Sequence, residues 1–133
     1  MKYLIDTDIA SYYLRGKFNI SKVFERKGIS NIRISRVSVA ELEVLAFKNP
    51  NSKINLTSID FLSQNLGIIE IDKLTWRNFS KMKADILTCG KTKGDIDILI
   101  ASIAKQYNMI IVTNNTSHYE GLVKVENWVE DNK

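Results

Sequence analysis

The sequence is poor in the residues that build disulfides, zinc sites and disordered segments. Its 133 residues include one cysteine, Cys89, one histidine, His118, and one proline. A single cysteine excludes an internal disulfide and a Cys-x-x-Cys metal site. With 44% hydrophobic residues and no low-complexity tract, the chain has enough apolar material for a core. We therefore predict one compact domain that spans residues 1–133.

A long apolar run is also missing. No stretch approaches the length that a membrane-spanning helix needs, and the opening residues MKYLIDTD reach an acid too early for a signal peptide. These features predict a cytoplasmic protein that has no membrane partner.

Charge of neither sign dominates, but its distribution along the chain is uneven. The formal net charge is +4; residues 1–36 hold eight basic and three acidic side chains, whereas residues 94–133 hold three basic and six acidic ones. A basic N-terminal third is typical of a surface that contacts phosphates, and it is equally compatible with scattered solubilising charge. The side chains concerned are Arg15, Lys17, Lys22, Arg26, Lys27, Arg33 and Arg36.

Short apolar segments alternate with amphipathic ones along the chain. We predict five strands, over residues 2–5, 32–35, 68–71, 109–113 and 122–125. Six helices are predicted over residues 8–15, 20–26, 39–48, 54–65, 74–88 and 97–107. This alternation predicts an α/β fold, a three-layer α/β/α sandwich around a mainly parallel sheet of roughly five strands. The strand at 109–113 is the most apolar, so we expect it to be central.

Polar side chains follow two of the predicted strands. Asp6 leaves the first strand directly, and Thr113, Asn114 and Asn115 leave the fourth. Ligands bind outside the carboxyl ends of parallel strands. These residues are therefore candidates for a functional site at one edge of the sheet.

The role of Asp6 differs from that of its neighbours Thr7 and Asp8. Either neighbour could be the N-cap of the first helix. Asp6 resists a capping role, because it still belongs to the strand. A buried carboxylate is costly unless something pairs with it, so Asp6 is the acid that most needs a functional explanation.

Three further acids lie at predicted helix starts, and each has two interpretations. Glu41 follows Ser38 at the spacing of an S-x-x-E capping box, and in the first turn of its helix it could also reach the functional edge. Asp95 is a possible N-cap, and Asp97 suits the positive end of the same helix. Both would approach the edge if the preceding loop, CGKTKG, brings the helix start to it.

Together these acids favour a divalent cation. Several carboxylates in one cleft repel each other unless a cation compensates them, and oxygen ligands select Mg²⁺ or Mn²⁺. A zinc site and histidine general-base catalysis are disfavoured, because His118 is the only histidine and lies beyond the acidic cluster. Carboxylate-held divalent ions suit phosphodiester hydrolysis. Arg15, Lys91 and Lys93 are candidates for phosphate contacts, although the two lysines equally fit an exposed charged loop.

Four segments in this order resemble PIN-domain ribonucleases, specifically the VapC-like toxins of toxin–antitoxin modules: YLIDTDIASYYLRG, ISRVSVAELEVL, GDIDILIASIA and IIVTNNTSHYEGLVKVENW. The resemblance covers nearly the whole chain. It implies a doubly wound α/β/α sandwich and a metal-dependent endoribonuclease that cleaves tRNA or another structured RNA. It also implies a homodimer and a cognate antitoxin whose tail covers the acidic cleft.

The resemblance assigns roles to individual residues. It implies that Asp6, Glu41 and Asp97 hold Mg²⁺ or Mn²⁺, and that Asn115 with Thr113 tunes the metal or its water. Asn115 occupies a position that is often Asp in the family. An amide brings an oxygen but no charge, so we expect one protein-held metal ion.

Other departures from the family lie close to these positions. Asp8 stands where relatives often have Asn, which makes it a cap or an outer partner of the site. Asp95 lies beside the cluster and ranks below Asp97. Leu45 replaces a frequent glycine, a change that affects packing more than chemistry.

Two other functions fit parts of the sequence. YLIDTDIA also resembles the D-x-D motif of haloacid-dehalogenase-type phosphatases, but there the acidic pair follows the Ser/Thr-ended strand, whereas Asp95 and Asp97 precede Thr113. The second alternative is a PIN-like module that binds nucleic acid or a partner without cleaving. The intact acids argue against a decayed site without proving turnover.

Overall fold

A computed structural model describes residues 2–129, which form five strands and six α-helices. The strands are β1 (Tyr3–Ile5), β2 (Ile32–Ser35), β3 (Ile68–Ile69), β4 (Ile110–Val112) and β5 (Val125–Glu126). The helices are α1 (Thr7–Leu14), α2 (Ile20–Lys27), α3 (Arg36–Lys48), α4 (Leu56–Leu66), α5 (Lys73–Thr88) and α6 (Asp95–Gln106). None of these helices is both long and apolar enough to cross a membrane.

The strands form one sheet in the order β3-β2-β1-β4-β5, and every pairing is parallel. β1 is the middle strand, and β4 is paired on both edges, with β1 and β5. Ile5 lies opposite Ile34 on one side and Val112 on the other. The central strands therefore end at the same level, and the residues that follow them meet at one edge of the sheet.

Alternate residues of each strand face opposite helical layers. Tyr3 and Ile5 pack in a core with α1, α2, α3 and α4, whereas Leu4 and Ile111 pack against α5 and α6. Because side chains alternate along a strand, even a strand of three residues contributes to both cores. This arrangement confirms the predicted α/β/α sandwich and its parallel sheet.

Helix α3 begins three residues earlier than the sequence pattern predicts. Its N-cap is Ser35, whose Oγ accepts the Ser38 backbone N–H at 3.1 Å. Ser38 is therefore inside the first turn, and the predicted capping box of Ser38 with Glu41 is wrong. β2 runs directly into the helix, since its last residue is also the cap. Glu41 consequently lies in the second turn of α3 and is free for another contact.

The predicted caps of two other helices are also wrong. Asp6, rather than Thr7 or Asp8, is the N-cap of α1, and its Oδ1 accepts the Ile9 backbone N–H at 3.0 Å. β1 ends at Ile5, so Asp6 has left the strand and adopts the extended conformation of a cap. At α6 the N-cap is Gly94, and Asp95 is the first helical residue.

The last strand is displaced from its predicted place at residues 122–125. Within the described residues, β5 covers only Val125–Glu126, because the register pairs Val125 with Ile111 and Glu126 with Val112. The apolar pair Leu122 and Val123 instead packs, half-buried, against the core beside α5 and α6.

Candidate active site

Asp6 occupies the carboxyl end of β1 and is almost completely buried, with 6% of its surface exposed. Its backbone N–H donates to the carbonyl of Val112 at 3.0 Å, which continues the ladder between β1 and β4 by one residue. Its side chain caps α1. The end of the central strand and the start of the helix together hold the carboxylate at the edge of the sheet.

The electrostatics of Asp6 match its position. Burial raises the pKa of Asp6 to about 7, from an ordinary value of 3.8. Hydrogen bonds from the Thr113 side chain and the Ile9 backbone N–H lower this pKa, and the neighbouring charges of Asp8 and Asp97 raise it further. Near neutral pH, Asp6 is poised between its protonated and ionised forms. A nearby cation would favour the ionised form.

Glu41 reaches the same edge from α3. Its Oε1 accepts a hydrogen bond from the Thr7 hydroxyl at 2.5 Å, between residues 34 positions apart in the chain. Thr7 is the first residue of α1, directly after Asp6. This contact across the interface of α1 and α3 places the Glu41 carboxylate beside the start of α1.

Asp97 lies in the first turn of α6 and has two partners in the short helical turn Thr116–Tyr119. The Tyr119 hydroxyl donates to Asp97 Oδ1 at 3.4 Å, and His118 Nδ1 lies 3.2 Å from Oδ2. The prediction that His118 lies beyond the acidic cluster is therefore wrong. The segment after β4 folds back over the start of α6, a contact between residues far apart in the sequence.

Tyr119 contacts Asp97 and lies within the electrostatic field of all three acids. Its side chain is buried, with 1% of its surface exposed. Burial raises the pKa of the Tyr119 hydroxyl, and the charges of Asp6, Asp97 and Glu41 raise it further. The charges of all three carboxylates thus act on one hydroxyl group, which contacts Asp97 directly. The sequence interpretation missed Tyr119, and the segment NNTSHYEG has no pattern that would have identified it.

The Thr113 side chain is hydrogen-bonded to Asp6, and the Asn115 side chain is bound to Asp8. The Thr113 hydroxyl is buried and accepts the Asn115 backbone N–H at 2.9 Å. The Asn115 amide donates to Asp8 Oδ2 at 2.6 Å. Asp8 is therefore a partner of Asn115 rather than a helix cap.

Other candidate residues are engaged away from the three carboxylates. Asp95 forms an exposed ion pair with Lys83 at 2.8 Å. Lys93 Nζ donates to the carbonyls of Ser117 and His118 at 3.0 and 3.1 Å, so it ties the loop before α6 to the turn that contacts Asp97. Lys91 lines a separate cavity beside α5. Arg15 donates from Nε to Ser11 Oγ at 3.1 Å, two turns of α1 beyond Thr7.

The acids converge without forming a closed metal site. Between residues 2 and 129, no group of three or more His, Cys, Asp or Glu side chains is arranged so that it could hold a metal ion as it stands. Charge effects act over longer distances than metal–oxygen bonds of about 2.1 Å. The donors nevertheless fit Mg²⁺ or Mn²⁺ in type, because they are carboxylate oxygens whose mutual repulsion a cation would relieve.

Comparison with known proteins agrees with this arrangement. Residues 3–121 match the family model of the PIN domain. The chain belongs to the PIN domain family. This PIN domain is 32% identical to ribonuclease VapC2 of Haemophilus influenzae over 133 aligned positions. The alignment covers 97% of this chain and 99% of the relative. It is 28% identical to the tRNA(fMet)-specific endonuclease VapC of Shigella flexneri, over 96% of the chain and 98% of the relative.

The fold of the PIN domain also matches a solved structure. The crystal structure of DNA-bound VapBC from Salmonella typhimurium superposes with a TM-score of 0.86 over 96% of this chain and 98% of that chain, at 23% identity. The five parallel strands and the order of the helices are therefore those of a known VapC-type fold.

Proposed function

We propose that this PIN domain, a single domain over residues 1–133, is a metal-dependent endoribonuclease and the toxin of a toxin–antitoxin pair. One observation carries the proposal. The charges of Asp6, Glu41 and Asp97 all act on the Tyr119 hydroxyl, and Glu41 is hydrogen-bonded to Thr7, the residue after Asp6, in a chain that aligns along 97% of its length with a ribonuclease VapC2.

The three acids would hold Mg²⁺ or Mn²⁺, which when bound supplies hydroxide from water near neutral pH and offsets charge that develops on the phosphate. The chain itself orients the acids. The Thr7 hydroxyl holds Glu41, and Tyr119 and His118 contact the two oxygens of Asp97. The pKa of Asp6, raised to about 7 by burial, is consistent with a carboxylate that needs a cation to remain ionised.

Thr113 and Asn115 would complete the catalytic site without adding charge. The Thr113 hydroxyl lies against Asp6, and the Asn115 amide is bound to Asp8. With an amide in this position, three acids remain to balance a cation. This supports one protein-held metal ion rather than two.

The substrate and partners follow from the relatives. The similarity to a tRNA(fMet)-specific endonuclease supports tRNA as the substrate. The similarity to VapC proteins supports a cognate antitoxin and a homodimer. Family membership argues against the phosphatase alternative, and a binding module without cleavage is one outcome of the test below.

The test is cleavage of total tRNA by the wild type and the Asp97→Asn variant, each with Mg²⁺, Mn²⁺ or EDTA. We expect discrete fragments from the wild type with either metal and none with EDTA. Asp97→Asn should yield no fragments. Asp60→Asn, an exposed acid on α4, is the matched control and should cleave like the wild type.

Several outcomes would oppose the proposal. Fragments that persist in EDTA or with Asp97→Asn would point to a contaminating nuclease or to different catalytic residues. A folded wild type that binds tRNA but never cleaves it would favour the non-catalytic binding module.

A further inference from the structure

The geometry points to a second RNA contact in this protein, a phosphate-binding groove that begins at the acids and runs between α1 and α3. The inference rests on the proposed nuclease function and specifies which surface of the protein the RNA backbone follows. The observation behind it is a cavity of about 680 Å³ between α1, α3 and the loop over residues 49–55.

The cavity is strongly basic. Its lining includes four cationic side chains and no acid; the cations are Arg15, Lys17, Lys48 and Lys53. Within residues 2–129, none of these four takes part in an ion pair. Uncompensated positive charge in a concave site attracts an anion, and the field is focused by the surrounding walls.

The polar lining suits a phosphate. Arg15 is half-buried, and its Nε donates to Ser11 Oγ at 3.1 Å, which fixes the plane of the guanidinium group. Among the described residues, the two terminal nitrogens of the group have no hydrogen-bond acceptor, and a planar guanidinium binds phosphate oxygens in pairs. Ser52 and Asn49 add neutral polar groups to the same wall.

The cavity lies on the same faces of α1 and α3 as the contact between Thr7 and Glu41. On α3, Glu41, Leu45 and Lys48 recur at spacings of four and seven residues, so they lie along one face of the helix. On α1, Thr7, Ser11 and Arg15 recur every four residues in the same way. Thr7 contacts Glu41 at the site, and Ser11, Arg15, Leu45 and Lys48 line the cavity.

The separation between the acids and the cavity fits a strand of RNA. Lys48 lies seven residues beyond Glu41, which is about 10 Å along the helix axis. This is roughly three nucleotides of a stacked strand at 3.4 Å each. A strand whose scissile phosphate lies at the acids would therefore place neighbouring phosphates in the cavity. A phosphodiester at the acids is the substrate of the proposed hydrolysis, whereas a peptide carboxylate there would only add to the repulsion among the acids.

The test uses tRNA binding to protein that carries Asp97→Asn, so that the RNA stays intact. Into this background we introduce Lys48→Gln with Lys53→Gln. The matched control is Lys73→Gln with Lys124→Gln, which removes the same charge from two exposed lysines outside the cavity. Thermal unfolding verifies that both double variants fold like their parent.

We expect only the double variant Lys48→Gln with Lys53→Gln to bind tRNA more weakly. The dissociation constant should rise about tenfold at low salt, and the slope of log affinity against log salt should fall by about one to two, because each lost phosphate contact removes roughly 0.7–0.9 from the slope. The control pair should change neither quantity by a comparable amount.

The contrary results are distinguishable. If both double variants bind tRNA as tightly as the parent, or if both weaken binding equally, the groove does not bind RNA. The proposed nuclease function then still stands, provided that the wild type cleaves tRNA. If the wild type neither cleaves nor binds tRNA, the proposed function fails and this inference fails with it.

Discussion

The Thr7 hydroxyl donates a hydrogen bond to Glu41 Oε1 and so joins the first turn of α1 to the second turn of α3. Thr7 follows Asp6 directly, so this contact joins the backbone next to one acid to the side chain of another. Glu41 has no capping role that would otherwise orient it. Its position at the site therefore depends on Thr7.

Replacing Thr7 by valine should impair cleavage much more than folding. Valine keeps the shape of the side chain and removes the hydroxyl, so Glu41 loses its donor. We expect the rate of tRNA cleavage to fall about tenfold and the free energy of unfolding to change by roughly 1 kcal/mol. Thr57→Val, at an exposed position on α4, is the control. Cleavage by Thr7→Val at the wild-type rate would mean that Glu41 is oriented by other contacts.

Asp6→Asn should stabilise the metal-free protein in a pH-dependent way. Asparagine is as good an N-cap as aspartate, so the acceptor for the Ile9 N–H is retained. The native pKa of about 7 exceeds the ordinary 3.8, so between these values the native state binds more protons than the unfolded state. The stability of the wild type therefore falls as pH rises through this window.

The gain from Asp6→Asn should be near zero at pH 4 and reach up to about 4 kcal/mol at pH 8. Urea unfolding in EDTA at the two pH values measures it, with Asp60→Asn as the control. A gain of the same size at both pH values, or a loss at pH 8, would show that the Asp6 carboxylate is not desolvated as described. Nuclease activity should be lost at either pH.

Asn115→Asp tests the charge balance of the site. The new carboxylate would lie against Asp8, where the amide now donates at 2.6 Å, so one hydrogen bond becomes a repulsion. We expect the melting temperature in EDTA to drop at pH 8, and Mg²⁺ or Mn²⁺ to restore much of the loss. The control is Asn65→Asp, at an exposed position on α4. Its melting temperature should not change when Mg²⁺ or Mn²⁺ is added. A drop that no divalent cation reverses would mean that Asn115 lies outside the reach of the metal.

Tyr119→Phe removes only the hydroxyl that contacts Asp97. The ring remains in the core, so the free energy of unfolding should change by no more than about 1 kcal/mol. Cleavage should slow by about tenfold, because Asp97 loses the donor to its Oδ1. Tyr107→Phe, at the C-cap of α6, serves as the matched variant. An unchanged cleavage rate would make Tyr119 a packing residue alone.

The sequence was most informative where one local pattern decides the structure. Buried apolar runs predicted the places of β1 and β2, and helical spacing predicted all six helices within a few residues. The carboxyl ends of parallel strands lie at one edge of the sheet, so the sequence alone assigns Asp6, Thr113 and Asn115 to that edge. Local patterns failed where the sequence offers two possible start positions for one helix. Ser35 and Ser38 both suit a cap, and only the end of β2 decides between them.

Contacts between distant segments could not be predicted in the same way. His118 and Tyr119 meet Asp97 because the turn after β4 folds over the start of α6, and no spacing in the sequence encodes that approach. The bond between Thr7 and Glu41 has the same origin, since it depends on how α1 packs against α3. The acids were predictable, whereas the groups that orient them were not.

The dual role of Asp6 has a genetic consequence. The same carboxylate is the N-cap of α1 and places a negative charge at the edge of the sheet. Asparagine can replace it as the cap but brings no charge. Every aspartate codon becomes an asparagine codon by one base transition. In a cell under selection against this activity, a single mutation therefore yields an inactive protein that still folds. Surviving clones that express full-length, stable and inactive chain should be enriched in this substitution.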